Sequence, residues 1–424
     1  MSAQKMNKKV LYAGALGNGL EWYDYALYGH MSLIITKLFF PQDIDPSLAI
    51  ILTFLTFAAG FISRPLGAIM FGRIGDKYGR KRALVLAILM MAIPTGMIGL
   101  LPTYEMIGIT APILLCLIRV LQGLSLGGAY GGSISYVVEH SPANQRGSVG
   151  SVIKISLVIG FLLGSLVSTL MTWIMPVEAF ESWGWRIPFL LGVCIAFVGH
   201  YIKHHGEESP VYEEAKKAGT LSERPVRDAF MKHPWILVRG WAIYLFVTMP
   251  FYVISIYFIV YSKTYLNQTF ENALLINSIA MASMLISIPI SAYFCDKVGR
   301  KPVLMAAIIA MLIWLYPAFQ MMQTDEFANI LIAQSVMGLF LGAYLAPIPA
   351  TLVEVFPTSI RYTGMSLAYN ICAIMGGLTP AISQWLIGYT GDETSIMYII
   401  VLSGVISLIA LILYKDRWKD PLPA

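Results

Sequence analysis

Two short stretches of this chain, GDKYGRK at residues 75–81 and CDKVGRK at residues 295–301, have nearly the same sequence. Each follows a long apolar run, and their aspartates, Asp76 and Asp296, are 220 residues apart. A polar turn that recurs once in each half of a chain indicates an internal repeat. The pattern therefore predicts two structurally related halves.

A second pair of stretches supports this repeat. Residues 139–142, EHSP, precede Arg146, and residues 354–357, EVFP, precede Arg361. The offset from Glu139 to Glu354 is 215 residues, and the two arginines show the same offset. Agreement between two loops indicates that the two halves form a parallel repeat, with a binding site between them.

Long apolar runs surround these turns. The chain has 424 residues, of which 57% are hydrophobic and 12% are charged. A soluble protein carries about 25% charged residues, so a soluble enzyme is excluded. Runs of roughly 20 apolar residues predict an all-α polytopic membrane protein with about twelve transmembrane helices in two six-helix bundles. The predicted spans are 11–37, 48–72, 82–102, 107–138, 148–174, 185–202, 234–262, 273–294, 302–322, 327–353, 362–389 and 394–414.

The basic residues predict the orientation of these spans. Of the 29 Lys and Arg residues, 23 fall on the side of the N-terminus, 3 on the other side and 3 inside spans. Since loops rich in Lys and Arg stay in the cytoplasm, both termini are expected on the cytoplasmic side of the inner membrane. A charged stretch divides the chain into an N-terminal bundle (1–202), a cytoplasmic linker (203–233) and a C-terminal bundle (234–424).

The sequence does not predict a cofactor, a metal site or a catalytic residue. The four cysteines lie in or at the ends of spans without paired spacing, which is typical of packing residues. No Gly-Lys-Ser/Thr phosphate-binding sequence is present, so ATP is not the expected energy source. The net charge of +5 reflects topology and not a nucleic-acid surface. The expected partners are the bilayer, a small solute and H⁺, with no obligate protein partner.

Several motifs resemble those of a known family. They are spread over nearly the whole chain and comprise residues 17–25 (GNGLEWYDY), 64–67 (RPLG), 72–82 (GRIGDKYGRKR), 122–128 (QGLSLGG), 183–189 (WGWRIPF) and 356–361 (FPTSIR). They resemble the major facilitator superfamily, and more narrowly the metabolite:H⁺ symporters, which include proline/betaine, α-ketoglutarate, citrate and shikimate transporters. The resemblance implies a transporter and not an enzyme. One departure is Ala129, where that family usually has an acid.

Charged residues inside apolar spans need a partner or a function, because burying a charge in the bilayer is costly. Asp24 is the first candidate for proton coupling. The alternative is a permanent ion pair with Arg64 or Arg119 that only joins helices. Glu21, one turn earlier on a similar face, and His30, which titrates near neutral pH by default, are further candidates for proton coupling.

Substrate binding is predicted for cations and polar groups on the expected cavity helices. Arginine suits bidentate carboxylate recognition, and a buried lysine needs a partner from another helix or from a substrate. Otherwise both cations are counter-ions to Asp24 and Glu139, and the polar groups are packing residues. The candidates are Arg119, Lys154, Tyr130, Gln122, Tyr252 and Asn370.

Conformational gating is predicted for charged residues in the repeated loops. The resemblance implies that Asp76, Arg80 and Asp296 make contacts between helices that hold one transport state. The repeat extends this prediction to their neighbours, so that the full set is Asp76, Arg80, Asp296, Arg300, Glu139, Arg146, Glu354 and Arg361.

The sequence thus predicts a secondary transporter that takes up a small carboxylate or zwitterion with a proton by alternating access. Dicarboxylates, tricarboxylates and proline or betaine all satisfy the two intramembrane cations. The alternatives are an uncoupled facilitator or exchanger of the same fold, for which Ala129 is the argument, and a non-transporting receptor.

Overall fold

The computed structural model describes residues 8–78, 80–127, 138, 141–194, 234–357 and 361–420. Helices dominate these ranges. In chain order they are α1 Lys8–His30, α2 Ser32–Phe39, α3 Pro46–Ile62, α4 Arg64–Tyr78, α5 Arg80–Leu100, α6 Tyr104–Ile107, α7 Thr110–Leu126, α8 Arg146–Ile174, α9 Val177–Ala179, α10 Arg186–Leu191, α11 Pro234–Tyr252, α12 Phe258–Thr264, α13 Phe270–Val298, α14 Arg300–Met322, α15 Phe327–Leu345, α16 Ile348–Val355, α17 Arg361–Thr390 and α18 Met397–Ile412.

Within the described ranges, eight helical stretches are long and apolar enough to cross a membrane. They coincide with the second, fifth and seventh to twelfth predicted spans. Shorter apolar helices at Leu89–Leu100 and Thr110–Leu126 match the third and fourth spans. Helices α1 and α2 cover the first predicted span. The sixth predicted span begins at α10 and continues outside the described residues.

Burial distinguishes central helices from lipid-facing ones. The most apolar window of Pro234–Thr264 is 100% buried, whereas that of Arg300–Met322 is only 39% buried. Since lipid solvates apolar side chains as well as a protein core does, exposed leucines and isoleucines are expected at the bundle surface. The seventh span therefore runs through the centre of the protein, where its side chains face both halves.

Helices α1 and α8 run parallel and in close contact. Asn18 donates a hydrogen bond to Ser156 Oγ (2.8 Å), and a Cβ added to Gly160 would collide with the carbonyl oxygen of Gly19. Further along, Gly164 approaches Ala26. Small residues allow such close helix contact inside a membrane. This contact fixes the orientation of α1, on which the predicted residues Asp24 and His30 are buried.

The two halves meet along two antiparallel helix pairs, α8 with α13 and α3 with α17. In the first pair, Gly147 lies against Asp296, and Ser165 contacts the Ser278 hydroxyl at 2.8 Å. In the second pair, Ser47 accepts a hydrogen bond from Gln384 (2.9 Å). These contacts hold the two halves together in this structure.

Candidate functional site

A small cavity lies between the two halves. It is bordered by α1, α8, α11, α15 and α17, and in this conformation it has room for about one water molecule. Five of its described lining residues are aromatic, and Lys154 is the charged residue among them. The lining residues are Trp22, Lys154, Leu157, Tyr244, Val247, Thr248, Phe251, Tyr252, Leu345, Tyr369 and Ala373.

Two cation–tyrosine contacts cross from one half to the other at this cavity. Lys154 Nζ donates a hydrogen bond to the Tyr244 hydroxyl (2.8 Å), and Arg64 Nη1 donates one to the Tyr369 hydroxyl (3.1 Å). The rings of Tyr244 and Tyr369 are 5.5 Å apart in an edge arrangement. Each half thus supplies one partner of each contact, and separating the halves breaks both.

Arg64 is stabilised mainly by aromatic rings. Its guanidinium carbon lies 4.2 Å from the Phe61 ring centroid, 5.0 Å from that of Tyr25 and 5.3 Å from that of Trp22. Cation–π attraction is strongest where water is excluded, as here. Glu21, which is half-buried, lies within Coulombic range of this guanidinium.

Asp24 forms a fully buried ion pair with Arg119 inside the N-terminal half. Arg119 Nη1 is 3.3 Å from Asp24 Oδ2, and both side chains have no exposed surface. Gln122, a predicted substrate ligand, instead donates to Thr95 Oγ1 (3.0 Å), and both side chains flank the Asp24 carboxyl. The predicted pairing of Asp24 with Arg64 is wrong, because the aromatic rings and Tyr369 hold Arg64 elsewhere.

The ring of Tyr25 lies between the two arginines. The Arg64 and Arg119 guanidinium carbons are 5.0 and 5.8 Å from its centroid. Arg64 contacts two cavity residues, Trp22 and Tyr369, whereas Arg119 contacts Asp24. One aromatic side chain therefore separates the ion pair from the residues that border the cavity.

His30 joins the two halves on another side of α1. Its Nε2 is 3.0 Å from the carbonyl oxygen of Ser255, which belongs to a π-helical turn, Val253–Tyr257, between α11 and α12. Asn277 Nδ2 donates to the carbonyl oxygen of Ile254 in the same turn (2.9 Å). A π-turn displaces backbone carbonyls from their usual partners, and here side chains from α1 and α13 bind them.

The other predicted substrate ligands differ in their position relative to the cavity. Tyr252 lines the cavity directly. Asn370 is buried next to Tyr369 on α17 but is not among the described lining residues. Arg119 lies in the ion pair with Asp24, and Tyr130 lies outside the described residues.

A charged network closes the face of the protein on which residues 413–420 lie, here called the tail face. Asp296, at the end of α13, accepts hydrogen bonds from the Gly147 N–H (2.8 Å), the Ser148 N–H (2.8 Å) and the Ser148 hydroxyl (2.6 Å). These groups begin α8 of the other half. A carboxylate at a helix N-terminus is stabilised by unpaired N–H groups and by the helix dipole.

Arg300, Glu354 and Arg146 extend the network. Arg300 contacts Asp296 Oδ1 (2.9 Å) and Glu354 Oε1 (3.2 Å), and Arg146 lies 3.7 Å from the same Glu354 oxygen. The tail adds further contacts, since Arg146 donates to the carbonyl oxygen of Asp420 (3.1 Å) and Asp416 accepts from the Lys301 N–H (2.8 Å). The tail thus contacts both halves at this face.

The remaining predicted gating residues are not described at the level of side chains. Glu139 lies outside the described residues. Asp76 lies in helix α4, Arg80 in α5 and Arg361 in α17. Only the backbone of these three residues is among the described parts of the chain. Their gating role stays a prediction.

Known proteins resemble this chain over almost its full length. Residues 10–228 match the family described as "Sugar (and other) transporter", and residues 266–423 match the "Major Facilitator Superfamily". The chain is 33% identical to the glycine betaine/proline/ectoine/pipecolic acid transporter of Dickeya dadantii, over 98% of this chain and 84% of the relative. It is 34% identical to the proline/betaine transporter of Salmonella typhimurium, over 98% and 85%. The chain belongs to the major facilitator superfamily.

Solved structures of this superfamily have the same fold. The proton:xylose symporter bound to 6-bromo-6-deoxy-D-glucose superposes with a TM-score of 0.77, at 18% identity, and covers 97% of each chain. The partially occluded, inward-open xylose transporter from E. coli gives a TM-score of 0.75 at 20% identity, with 96% of each chain covered. This chain is therefore a multi-pass membrane transporter with the twelve-helix major facilitator fold, and it is not an enzyme.

Sequence reasoning missed four residues of the site in this major facilitator protein: Trp22, Tyr25, Thr95 and Tyr369. Trp22 and Tyr25 lie within the GNGLEWYDY motif, and Tyr369 is next to the predicted ligand Asn370, so these three residues lay beside signals that the sequence offered. Thr95 gave no signal, because a single threonine in an apolar run is common.

The Asp296 contact predicts a measurable gate. Because hydrogen bonds to a charged group contribute roughly 1.5–3 kcal/mol, Asp296→Asn is expected to shift the protein about tenfold towards opening at the tail face. Cys295 is fully buried against Gly147 and reports on this opening. With Cys116, Cys194 and Cys372 replaced by alanine, we expect a permeant maleimide to modify Cys295 several times faster in the variant.

Asp392→Asn is the matched control for this measurement, since Asp392 binds Thr394 within its own loop. That substitution should leave the modification rate of Cys295 unchanged. Equal rates in the wild type and in Asp296→Asn would contradict the gating role of Asp296.

Proposed function

We propose that this transporter takes up a small zwitterion or carboxylate of the proline/betaine kind together with a proton. The relatives at 33% and 34% identity are named for such solutes. Lys154, the charged residue among the described residues that line the cavity, supports a solute that carries a carboxylate. Transport proceeds by alternating access, in which the two halves open to one side at a time.

The observation that carries the proton-coupled part of this proposal is the Asp24–Arg119 pair. It is fully buried and lies apart from the cavity, with Tyr25 between them. Asp24 Oδ1 has no hydrogen-bond partner among the described residues. This arrangement suits a carboxylate that exchanges a proton, since Arg119 stabilises the charged form and burial favours the neutral one.

The other proton-coupling candidates take secondary roles in this proposal. Glu21 is the second carboxyl group within reach of the cavity, through its proximity to Arg64. His30 links α1 to the π-turn of the seventh span, so we assign it to the movement of that span. Among the substrate candidates, Lys154 and Tyr252 contact the solute, and Arg119 and Gln122 belong to the proton site. Tyr130 and Asn370 stay candidates for substrate binding.

The proposed arrangement in the cell follows the charge distribution. We assign the tail face and both termini to the cytoplasm of a cell with this protein in its inner membrane, in agreement with the excess of basic residues there. Residues 1–202 and 234–424 are the two moving bundles, and residues 203–233 connect them. Asp296, Arg300, Glu354 and Arg146 then form the cytoplasmic gate, and no obligate protein partner is required.

The deciding experiment is uptake into proteoliposomes with an imposed pH gradient. The panel contains glycine betaine, proline, pipecolic acid, α-ketoglutarate and citrate. Accumulation of a zwitterion above its outside concentration, abolished by a protonophore, is the expected result. Equilibration of a solute without accumulation would establish a facilitator instead, and movement of none of these solutes would overturn the proposal.

A further inference from the structure

The face opposite the tail face, here called the far face, is where α3 begins and α17 ends. Near the end of α17 the buried carboxamide of Gln384 joins three other side chains. Its Nε2 donates hydrogen bonds to Ser47 Oγ (2.9 Å) and to the Tyr265 hydroxyl (2.8 Å), and its Oε1 accepts one from the Tyr257 hydroxyl (2.8 Å). A carboxamide has two N–H donors and one acceptor oxygen, so both polar atoms of this side chain have partners.

These hydrogen bonds differ in what they connect. Tyr257, Tyr265 and Gln384 all belong to the C-terminal half, whereas Ser47 lies in the first turn of α3 in the N-terminal half. The Ser47–Gln384 bond therefore crosses between the halves, and the two tyrosine hydroxyls orient the carboxamide that makes it. The Tyr257 ring also crosses this boundary, since it lies 6.1 Å from the ring of Phe54 on α3.

The far face is closed without ion pairs between the halves among the described residues. Lys37 pairs with Glu181 inside the N-terminal half, and Asp325 binds Asn267 inside the C-terminal half. At the tail face, in contrast, the Asp296 carboxylate binds the other half directly. The described contacts across the far face are thus hydrogen bonds between neutral groups and contacts between rings.

Opening the far face would break only part of this cluster. Since Tyr257 and Tyr265 move together with Gln384, the carboxamide keeps these two bonds when the halves separate. Water that enters from the far face can replace Ser47 as the third partner. No buried charge loses its counter-ion in this step, so the contact can break and form again in each transport cycle.

We propose that the Gln384 carboxamide and the Ser47 hydroxyl form the gate of the far face, with Tyr257 and Tyr265 positioning Gln384. This inference rests on the alternating access of the proposed function and names residues that close the pathway on the side from which the solute enters. Gln384 is not among the described lining residues of the cavity, so it acts on the position of the halves and not on the solute.

The test measures opening with single cysteines in the full-length protein in lipid nanodiscs, where a maleimide reaches both faces. Ile50→Cys, with the native cysteines replaced by alanine, reports on the far face, because Ile50 is buried one turn from Ser47 on a similar side of α3. Cys295 alone reports on the tail face. Gln384→Leu is expected to speed modification at Ile50→Cys about fivefold, the effect of one lost neutral hydrogen bond, and not to speed that of Cys295.

Three further variants make the measurement specific. Ser47→Ala removes the partner in the other half and should act on the Ile50→Cys reporter as Gln384→Leu does. The two substitutions combined should be no faster than Gln384→Leu alone, because both remove the same bond. Gln334→Leu is the matched control, since Gln334 is equally buried but donates to Ser262 Oγ (3.1 Å) within the C-terminal half, and it should leave the rate unchanged.

An unchanged rate at Ile50→Cys in Gln384→Leu would overturn the inference. Faster modification of both reporters, or equal acceleration by Gln334→Leu, would also overturn it, since general loosening of the protein exposes both faces. These outcomes are separate from the proposed function. A wild type that accumulates glycine betaine, with no effect of Gln384→Leu, removes only the gate, whereas the expected rates in a protein that moves no solute remove only the transport proposal.

Discussion

Asp24→Asn is expected to abolish accumulation of solute driven by a pH gradient. Asparagine keeps the size of the side chain and can still accept from Arg119, but it cannot exchange a proton. The ratio of inside to outside solute should fall by about tenfold or more, in line with coupling free energies of roughly 1–3 kcal/mol. Exchange of labelled for unlabelled solute across the same membrane should persist, because it needs no net proton movement.

Two further variants make this measurement specific. Asp325→Asn is the control, since Asp325 is an exposed loop carboxylate that binds Asn267, and it should accumulate solute normally. Glu21→Gln distinguishes the second carboxyl candidate and is expected to reduce accumulation less than Asp24→Asn does. Full accumulation by Asp24→Asn would remove Asp24 from proton coupling.

Arg119→Met is expected to destabilise the protein strongly. It leaves the Asp24 carboxylate buried without its counter-ion, and breaking a buried ion pair in this way costs about 3–5 kcal/mol. The loss should appear as a lower midpoint of thermal unfolding for the protein purified in detergent.

The double variant Asp24→Asn/Arg119→Met separates charge from packing. It removes both charges and should recover most of the stability while still failing to accumulate solute. A single variant Arg119→Met as stable as the wild type would show that the pair contributes little to the fold. A double variant no more stable than the single one would show that packing of the arginine, and not its charge, is what matters.

The fold could be predicted from the sequence because the two features that determine it are local in the chain. Apolar runs of membrane-spanning length and repeated polar turns are both visible without tertiary information, and the predicted spans agree with the described helices. The π-turn at Val253–Tyr257 could not be predicted from the sequence, because its displaced carbonyls are bound by His30 and Asn277 from other helices.

The site was predicted only in part, for a related reason. The sequence identified Asp24, Arg119 and Lys154, because charges stand out in apolar runs, but it could not choose their partners. Asp24 and Arg119 are 95 residues apart, and Lys154 and Tyr244 are 90 apart in different halves. Such pairings depend on helix packing, which hydropathy does not encode.

The tail contacts show the same limit. Asp416 and Asp420 read as ordinary polar residues after the last helix, yet Asp416 binds the start of α14 and the Asp420 carbonyl accepts from Arg146. Only the three-dimensional arrangement shows that these residues bridge the two halves.

The buried Asp24–Arg119 pair also has an electrical consequence. Arg119 is fixed on a helix, and a zwitterion has no net charge, so a proton carried on Asp24 would be the charge that crosses the membrane in each cycle. Moving one elementary charge through a potential of 100 mV is worth about 2.3 kcal/mol. Uptake would then be electrogenic, and the resting membrane voltage would drive it even where the pH on the two sides is equal.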